Sequence, residues 1–136
     1  MEIRLLTEQE KSAVTDGLKL AAKWVSGDLP LSTAQVQDLF DAVRTDHADN
    51  TMAQIAVGLA FGETIARETG YEWVRVTDEY GDETALAPKG IEVACHPISM
   101  LQKRISRSEQ TNIVELRDVT IKRVEKMVAS GEYRTR

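Results

Sequence analysis

Residues 70–87, GYEWVRVTDEYGDETALA, are where the apolar pattern of the chain changes from a helical period to a period of two. From Tyr71 to Asp78, two sets of residues alternate, and β-branched and aromatic residues are frequent. One set is Tyr71, Trp73, Arg75 and Thr77, and the other is Glu72, Val74, Val76 and Asp78. Such alternation predicts a strand. Residues 84–87 form the predicted return strand, and Gly81 supplies the positive φ that a tight turn between the strands requires.

A third strand is predicted directly after this hairpin. Residues 91–95, IEVAC, alternate again, and Pro88-Lys89-Gly90 before them is a turn sequence. Connections this short exclude parallel crossovers, so the three strands are expected to form an antiparallel meander.

Capping patterns predict helices on both sides of the meander. Thr7 with Glu10, and Ser32 with Gln35, have the spacing of capping boxes, and Asn50 or Thr51 is expected to cap a third helix. Pro97 suits the first turn of a fourth helix, and Asn112 with Glu115 opens a fifth. The predicted order is ααα-βββ-αα, an α+β fold.

Composition indicates one domain over residues 1–136, with a helical part at 1–50 and a helix–meander–helix part at 51–130. The net charge of −5 is unevenly spread, since residues 1–96 hold 17 acidic and 8 basic side chains and residues 97–136 hold 5 and 9. No stretch has the pattern of a signal peptide or a membrane span, and the single cysteine suits a reducing compartment. We therefore expect a cytoplasmic protein that does not enter a membrane.

Two glycines interrupt the third predicted helix. Gly58 and Gly62 are four residues apart and lie on one face. Glycine costs about 1 kcal/mol relative to alanine inside a helix, so the pair predicts that another backbone crosses closely there.

Several short motifs accompany this pattern: AFGE at 60–63, GYEWV at 70–74, DEYG at 78–81, and PISM at 97–100 followed by Lys103 and Arg104. As a set over residues 52–128, they resemble the bacterial family known as domain of unknown function 3806. The resemblance implies a bacterial α+β domain with a central hairpin. It implies no activity.

The hairpin carboxylates raise the question of a metal site. Asp78, Glu79, Asp82 and Glu83 surround Gly81, and calcium is bound by carboxylate oxygens. Their spacing differs from that of an EF-hand loop, and acidic residues are common in hydrated turns. A turn is the favoured interpretation, with a cation site as the alternative, and we expect no cofactor.

Cys95 and His96 raise the possibility of a thiolate–imidazole pair. Neighbouring strand residues point to opposite faces, so the favoured interpretation is a small buried apolar cysteine. His47, between Asp46 and Asp49, is interpreted as a polar helix end because a zinc site needs more ligands than it has nearby.

The sheet supplies the candidate binding residues. If Val74, Val76, Leu86, Ile91 and Val93 face the main core, the opposite face carries an aromatic–arginine combination typical of interaction hot spots. The candidates for ligand or partner binding are Tyr71, Trp73, Arg75, Tyr80 and His96. The alternative is a second buried layer beneath helices.

Three functions are compatible with these patterns. The favoured one is a non-catalytic protein-interaction or regulatory module, self-associating or binding another protein. The second is a small-ligand-binding protein or enzyme with a pocket near the sheet face. The third is nucleic-acid binding through the basic C-terminal helix, which scarce aromatics and the acidic net charge disfavour. The basic residues concerned are Lys103, Arg104, Arg107, Arg117, Lys122, Arg123, Lys126, Arg134 and Arg136.

Overall fold

A computed structural model describes all 136 residues. It contains five helices and one three-stranded antiparallel sheet, which confirms the α+β class. No helix combines the length and apolarity that crossing a membrane requires. The elements in chain order are β1 (Glu2–Leu5), α1 (Glu8–Trp24), α2 (Thr33–Asp46), α3 (Thr51–Thr69), β2 (Glu72–Asp78), β3 (Gly81–Ala87), α4 (Pro97–Ser106) and α5 (Ile113–Ala129).

The central hairpin forms where predicted, but its second strand begins at Gly81, three residues before the predicted start at Thr84. Strands β2 and β3 pair antiparallel from Glu72 opposite Ala87 to Asp78 opposite Gly81, so only two residues make the turn. The side chain of Asp78 accepts a hydrogen bond from the backbone N–H of Tyr80 at 2.8 Å, and Gly81 has φ +118°. An aspartate that closes the turn and a glycine at positive φ are the features on which the turn prediction rested.

The third strand comes from a different part of the chain than predicted. The sheet order is β1-β2-β3, and β1 pairs antiparallel with β2, with Ile3 opposite Val76. The element order is therefore β-ααα-ββ-αα rather than ααα-βββ-αα. The strict alternation of charged and apolar residues in Glu2-Ile3-Arg4-Leu5 is the sequence signal for this strand.

Residues 91–95 do not form a strand because prolines flank their one point of pairing with β3. Cys95 and Leu86 exchange both backbone hydrogen bonds, at 2.8 and 3.0 Å. The neighbouring hydrogen-bonded pairs of an antiparallel ladder lie two residues away on each strand. The next pair on one side would be Thr84 with Pro97, and on the other side Pro88 with Val93. Each pair would require a backbone N–H from its proline, and proline has none. The ladder ends after one bridge.

The helix boundaries follow the predicted capping signals. Thr7 with Glu10 and Ser32 with Gln35 both form reciprocal capping boxes, and Asn50 and Asn112 cap α3 and α5. Gly70 ends α3 in the left-handed conformation at φ +79°. These ends depend on contacts within one or two helical turns, which is why the local sequence predicts them.

The main core is one cluster of 20 buried residues drawn from all five helices, β3, the segment that precedes α4, and Leu31 in the loop before α2. Leu86 belongs to it, but Val74 and Val76 do not, contrary to the prediction. The two-residue turn places Leu86 opposite Trp73 and Ala85 opposite Val74. Directly opposed residues share a face, so Leu86 lies on the face of Trp73, and the valines form a separate buried cluster with Ala85 and Ala87.

The predicted close crossing of another backbone is confirmed at Gly58 but not at Gly62, which meets side chains. A Cβ atom at Gly58 would lie 2.6 Å from the Cα atom of Ile98, and one at Gly62 would lie 2.7 Å from Cζ2 of Trp73. Gly58 therefore lets α4 approach α3, and Gly62 forms a notch for the indole of Trp73.

An ion-pair network joins the sheet to the start of α1. Arg4 on β1 donates two hydrogen bonds to the Glu10 carboxylate, at 2.7 and 2.9 Å, and Arg75 Nε on β2 lies 3.7 Å from Glu10 Oε2. The Arg4 hydrogen bonds, together with the backbone N–H of Thr7, lower the pKa of Glu10 from 4.5 to about 2. The carboxylate thus favours the folded state only while it is ionised.

We expect Glu10→Gln to destabilise the protein at neutral pH and to have progressively less effect in acid. A carboxyl group whose pKa is lowered by folding stabilises the protein fully above its unfolded pKa, near 4.5, and loses that contribution as the pH falls toward about 2. Urea unfolding between pH 7 and pH 3 measures the difference between the two proteins. Glu8→Gln is the control, because Glu8 meets only Lys11 Nζ, at 3.3 Å. A difference that is independent of pH would contradict the role given to the Glu10 charge.

Candidate functional site

The candidate site is an open cavity of about 570 Å³ between the hairpin tip, the beginning of α4 and one side of α5. Its volume lies in the range typical of ligand sites, and polar and apolar side chains both reach it. The lining residues are Asp78, Tyr80, Gly81, Asp82, Glu83, Ala94, Cys95, His96, Ser99, Met100, Lys103, Thr120, Arg123, Val124 and Met127.

Glu83 has the most contacts of the acidic side chains in this cavity. The hydroxyl of Ser99 donates a hydrogen bond to Glu83 Oε1, and His96 Nδ1 lies 3.3 Å from Oε2. The contact between His96 and Glu83 is close enough for charge attraction but does not form a hydrogen bond. The Nδ1 atom of His96 therefore has no hydrogen-bond partner. The contacts with His96 and Ser99 lower the pKa of Glu83, against partial burial, which raises it. Glu83 is therefore a carboxylate at neutral pH.

The two sides of the cavity carry opposite charges. Asp78 and Asp82 lie with Glu83 on the hairpin side, while Lys103 on α4 and Arg123 on α5 lie on the helical side. Lys103 is four residues after Ser99, so α4 presents both on one face. That spacing, and the steps of three and four from Thr120 to Arg123 and Met127, are the sequence signals that could have indicated the helical wall.

Tyr80 is one of the two residues that make the hairpin turn. It lies at the rim of the cavity and is 90% exposed. An aromatic ring that remains in water in the free protein is available to bury apolar area when a partner binds. The structure thus places Tyr80 and His96, two of the five predicted binding residues, in one cavity.

The arrangement of Ser99, His96 and Glu83 differs from that of a hydrolytic triad. In a triad the serine hydroxyl meets the imidazole, and the carboxylate meets the other ring nitrogen. Here the hydroxyl of Ser99 donates to Glu83 itself. Cys95 also lines the cavity, but its thiol is buried, and burial raises its pKa to about 12. Neither residue is prepared as a nucleophile at neutral pH.

The hairpin carboxylates make separate contacts. The side chain of Asp78 closes the turn, Asp82 accepts a hydrogen bond from the Thr77 hydroxyl at 2.7 Å, and Glu83 contacts α4 through Ser99. No group of three His, Cys, Asp or Glu side chains is placed to hold a metal ion. The suggested cation ligands Asp78, Glu79, Asp82 and Glu83 thus do not converge.

The model of the family described as Domain of unknown function (DUF3806) matches residues 32–116. The chain belongs to the DUF3806 family. The match begins at the cap of α2 and ends in the first turn of α5, so the family region both starts and ends earlier than the predicted 52–128. No curated protein and no solved structure matches the chain.

The DUF3806 region contains the hairpin and α4 walls of the cavity, but not the α5 wall. Thr120, Arg123, Val124 and Met127 follow the matched residues, and β1 and α1 precede them. The acidic side of the cavity and Lys103 are therefore within the family region, and Arg123 is outside it.

The other three predicted binding residues of this DUF3806 chain lie away from the cavity. Arg75 donates to Thr84 Oγ1 at 2.9 Å and contacts Glu10, while Trp73 donates from Nε1 to Glu63 Oε1 at 3.2 Å. Tyr71 packs against the main core, and burial raises its pKa. These side chains connect the sheet to the helices and do not form a continuous surface with Tyr80 and His96.

The remaining candidate groups of the DUF3806 chain have structural contacts. The His47 ring packs edge-on against Trp24, with ring centroids 4.5 Å apart at the end of α2. Of the basic residues, Arg117 contacts Glu68 and Asp118, and Arg136 contacts Glu72. Arg136 also donates three hydrogen bonds, two from its side chain and one from its backbone N–H, to carbonyl oxygens of residues 88–91. These two C-terminal charges are thus paired within the protein.

Proposed function

We propose that this domain is a non-catalytic interaction module that binds a segment of a partner protein in the cavity beside the hairpin tip. The observation that carries the proposal is the exposed ring of Tyr80 at the rim of a cavity that contains the ionised Glu83. An aromatic anchor next to a partly buried charge has the composition of a binding hot spot. A bacterial, cytoplasmic setting is part of the proposal, supported by the family resemblance and the single cysteine.

The charge of the acidic side supports a lysine or arginine side chain as the inserted group. Glu83 has two oxygens with several acceptor positions, and Ser99 occupies only one of them through a hydrogen bond. Asp78 and Asp82 add negative charge on the same side. A cationic side chain from the partner would make charge-assisted hydrogen bonds there, which are stronger than neutral ones.

The state of the cavity's polar groups supports binding rather than catalysis. The lowered pKa of Glu83 makes it an anion that is a poor proton donor at neutral pH. The Ser99 hydroxyl is oriented toward that anion, and the Cys95 thiol stays protonated. Each group is suited to holding charge or excluding water.

Selection of peptides from a random displayed library tests the binding class. We expect the selected peptides to carry Lys or Arg near an apolar residue. Tyr80→Ala and Glu83→Gln should each weaken binding about tenfold or more, because each removes a central anchor. Glu79→Gln is the matched control: it removes the same charge from the same hairpin, but Glu79 does not line the cavity, so affinity should stay within about twofold of the wild type. Equal losses for Glu79→Gln and Glu83→Gln would contradict a specific role for Glu83.

A small ligand with both a cationic and an anionic group is the second candidate, favoured by the opposite charges of the cavity walls. Its cation would meet Glu83, and its anion would meet Lys103 and Arg123. Native mass spectrometry of the purified protein, with Lys103→Glu as the comparison, would detect a small bound mass that the variant loses. If the protein binds the selected peptides and retains no small mass, the cavity binds a polypeptide partner rather than a small ligand.

A further inference from the structure

The outer edge of β1 has no strand beside it. β1 is the first strand of the order β1-β2-β3 and pairs only with β2, whereas the free edge of β3 is partly covered by its bridge to Cys95. An edge strand presents unpaired backbone N–H and C=O groups on its outer side, and proteins usually protect such edges. The residues of β1 include no proline, which would block pairing.

The sequence of this edge is complementary to itself in the antiparallel direction. With Ile3 on a two-fold axis, Ile3 faces Ile3 of the second copy, and Glu2 faces Arg4. In the same register Met1 faces Leu5, so apolar residues meet apolar ones and opposite charges meet. An axis through Glu2 or through Arg4 would instead place like charges directly opposite each other, which is unfavourable.

The register within the sheet places the apolar residues of β1 on one face and its charged residues on the other. Ile3 and Leu5 lie opposite Val76 and Val74, on the face of the small valine cluster, while Glu2 and Arg4 lie on the opposite face. Leu5 is 64% exposed and Met1 is 58% exposed, so each has apolar area left to bury. The Arg4 guanidinium is already held at this strand, because it donates to Glu10 and, from Nη1, to the Leu5 carbonyl at 3.0 Å.

We propose that two copies of this chain pair through β1, antiparallel about Ile3, and form a continuous six-stranded sheet. Backbone hydrogen bonds across the axis supply the pairing, as in other cases of strand addition. The two Glu2–Arg4 pairs fix the register. A closed two-fold contact leaves neither β1 edge free, so the assembly stops at two. The dimer uses residues 1–5 and does not depend on the function proposed for the cavity.

Cross-linking through introduced cysteines tests the register. In Ile3→Cys the two thiols would face each other across the axis at a Cβ spacing of about 4.5–5.5 Å, slightly wider than a disulfide prefers, so a short thiol-reactive cross-linker should join the two copies. In Leu5→Cys, each thiol would lie opposite Met1 and about 13 Å along the strand from its counterpart, too far for the same cross-linker to span. Cys95 is buried with a raised pKa, so it should not compete. Efficient linking of Leu5→Cys, or none of Ile3→Cys, would overturn this register.

Charge reversal tests the pairing without a covalent bond. Glu2→Arg and Arg4→Glu each place like charges opposite one another twice, and each should weaken the dimer about tenfold or more in sedimentation experiments. A mixture of the two variants restores both opposite-charge pairs and should form the mixed dimer. Glu8→Arg is the control for Glu2→Arg: it makes the same charge change at an exposed position outside β1 and should leave dimerisation unchanged. Glu2→Arg also keeps the Arg4–Glu10 contact, so its result does not depend on the folding of Arg4→Glu.

A wild-type protein that remains monomeric at the high concentrations used for NMR would overturn the proposal. So would a Glu2→Arg protein that dimerises as strongly as the wild type.

Discussion

Trp73→Ala is expected to lower the free energy of unfolding by about 3 kcal/mol, the order found when a large aromatic core contact is removed. The indole lies in the notch above Gly62 and donates to Glu63. It packs against both the main core and a small cluster formed by Leu6, Val14 and Leu59. Urea unfolding at neutral pH measures the change. Trp73→Phe is the control, because it keeps an aromatic ring and loses the hydrogen bond, and it should cost about 1 kcal/mol.

This result also decides between two roles for Trp73. The sequence predicted a residue that binds a ligand or partner, whereas the contacts in the structure are internal. A Trp73→Ala protein that keeps full stability and loses a binding activity would support the sequence-based prediction and contradict the packing role.

Gly58→Ala is expected to destabilise the protein by about 1–3 kcal/mol, the usual cost of overpacking. Helix propensity alone predicts the opposite sign, a gain of about 1 kcal/mol. The added methyl group would lie 2.6 Å from the Cα atom of Ile98, so α3 and α4 would have to separate.

Gly17→Ala is the matched control for Gly58→Ala. Gly17 is also inside a helix, but its added methyl group would meet the end of one side chain, that of Leu59, rather than a backbone atom. We expect a change near zero or a small gain. If both substitutions stabilise the protein, α4 does not cross α3 at Gly58.

The parts of the fold that the sequence predicted depend on local signals. The caps of α1, α2, α3 and α5 lie within three residues of the groups that they satisfy, and the hairpin turn is closed by Asp78 and Gly81 within the same short stretch. The third strand depends on a distant pairing between β1 and β2, so alternation alone could not choose between residues 2–5 and 91–95. The prolines at 88 and 97 did contain part of the answer, because they remove the N–H groups that a longer ladder would need.

The candidate site was harder to predict because it combines distant residues. Glu83 meets His96 and Ser99 only because the chain passes the edge of β3 at Cys95 before α4 begins. Lys103 and Arg123 reach the same cavity from two helices, and no short motif contains both. A one-residue difference in register also exchanges sheet faces, so the predicted common face of Leu86 and Val74 is lost when Leu86 lies opposite Trp73.

The central claim is that the cavity at the hairpin tip binds a partner protein, and site-specific photo-crosslinking in the native cells tests it most directly. A photoreactive phenylalanine analogue replaces Tyr80 at the cavity rim or, as the control, the exposed Met52 on α3. We expect a discrete cross-linked product from position 80 that is absent from position 52 and is lost when Glu83→Gln is added. Equal products from both positions, or a product at position 80 that Glu83→Gln leaves unchanged, would contradict the account.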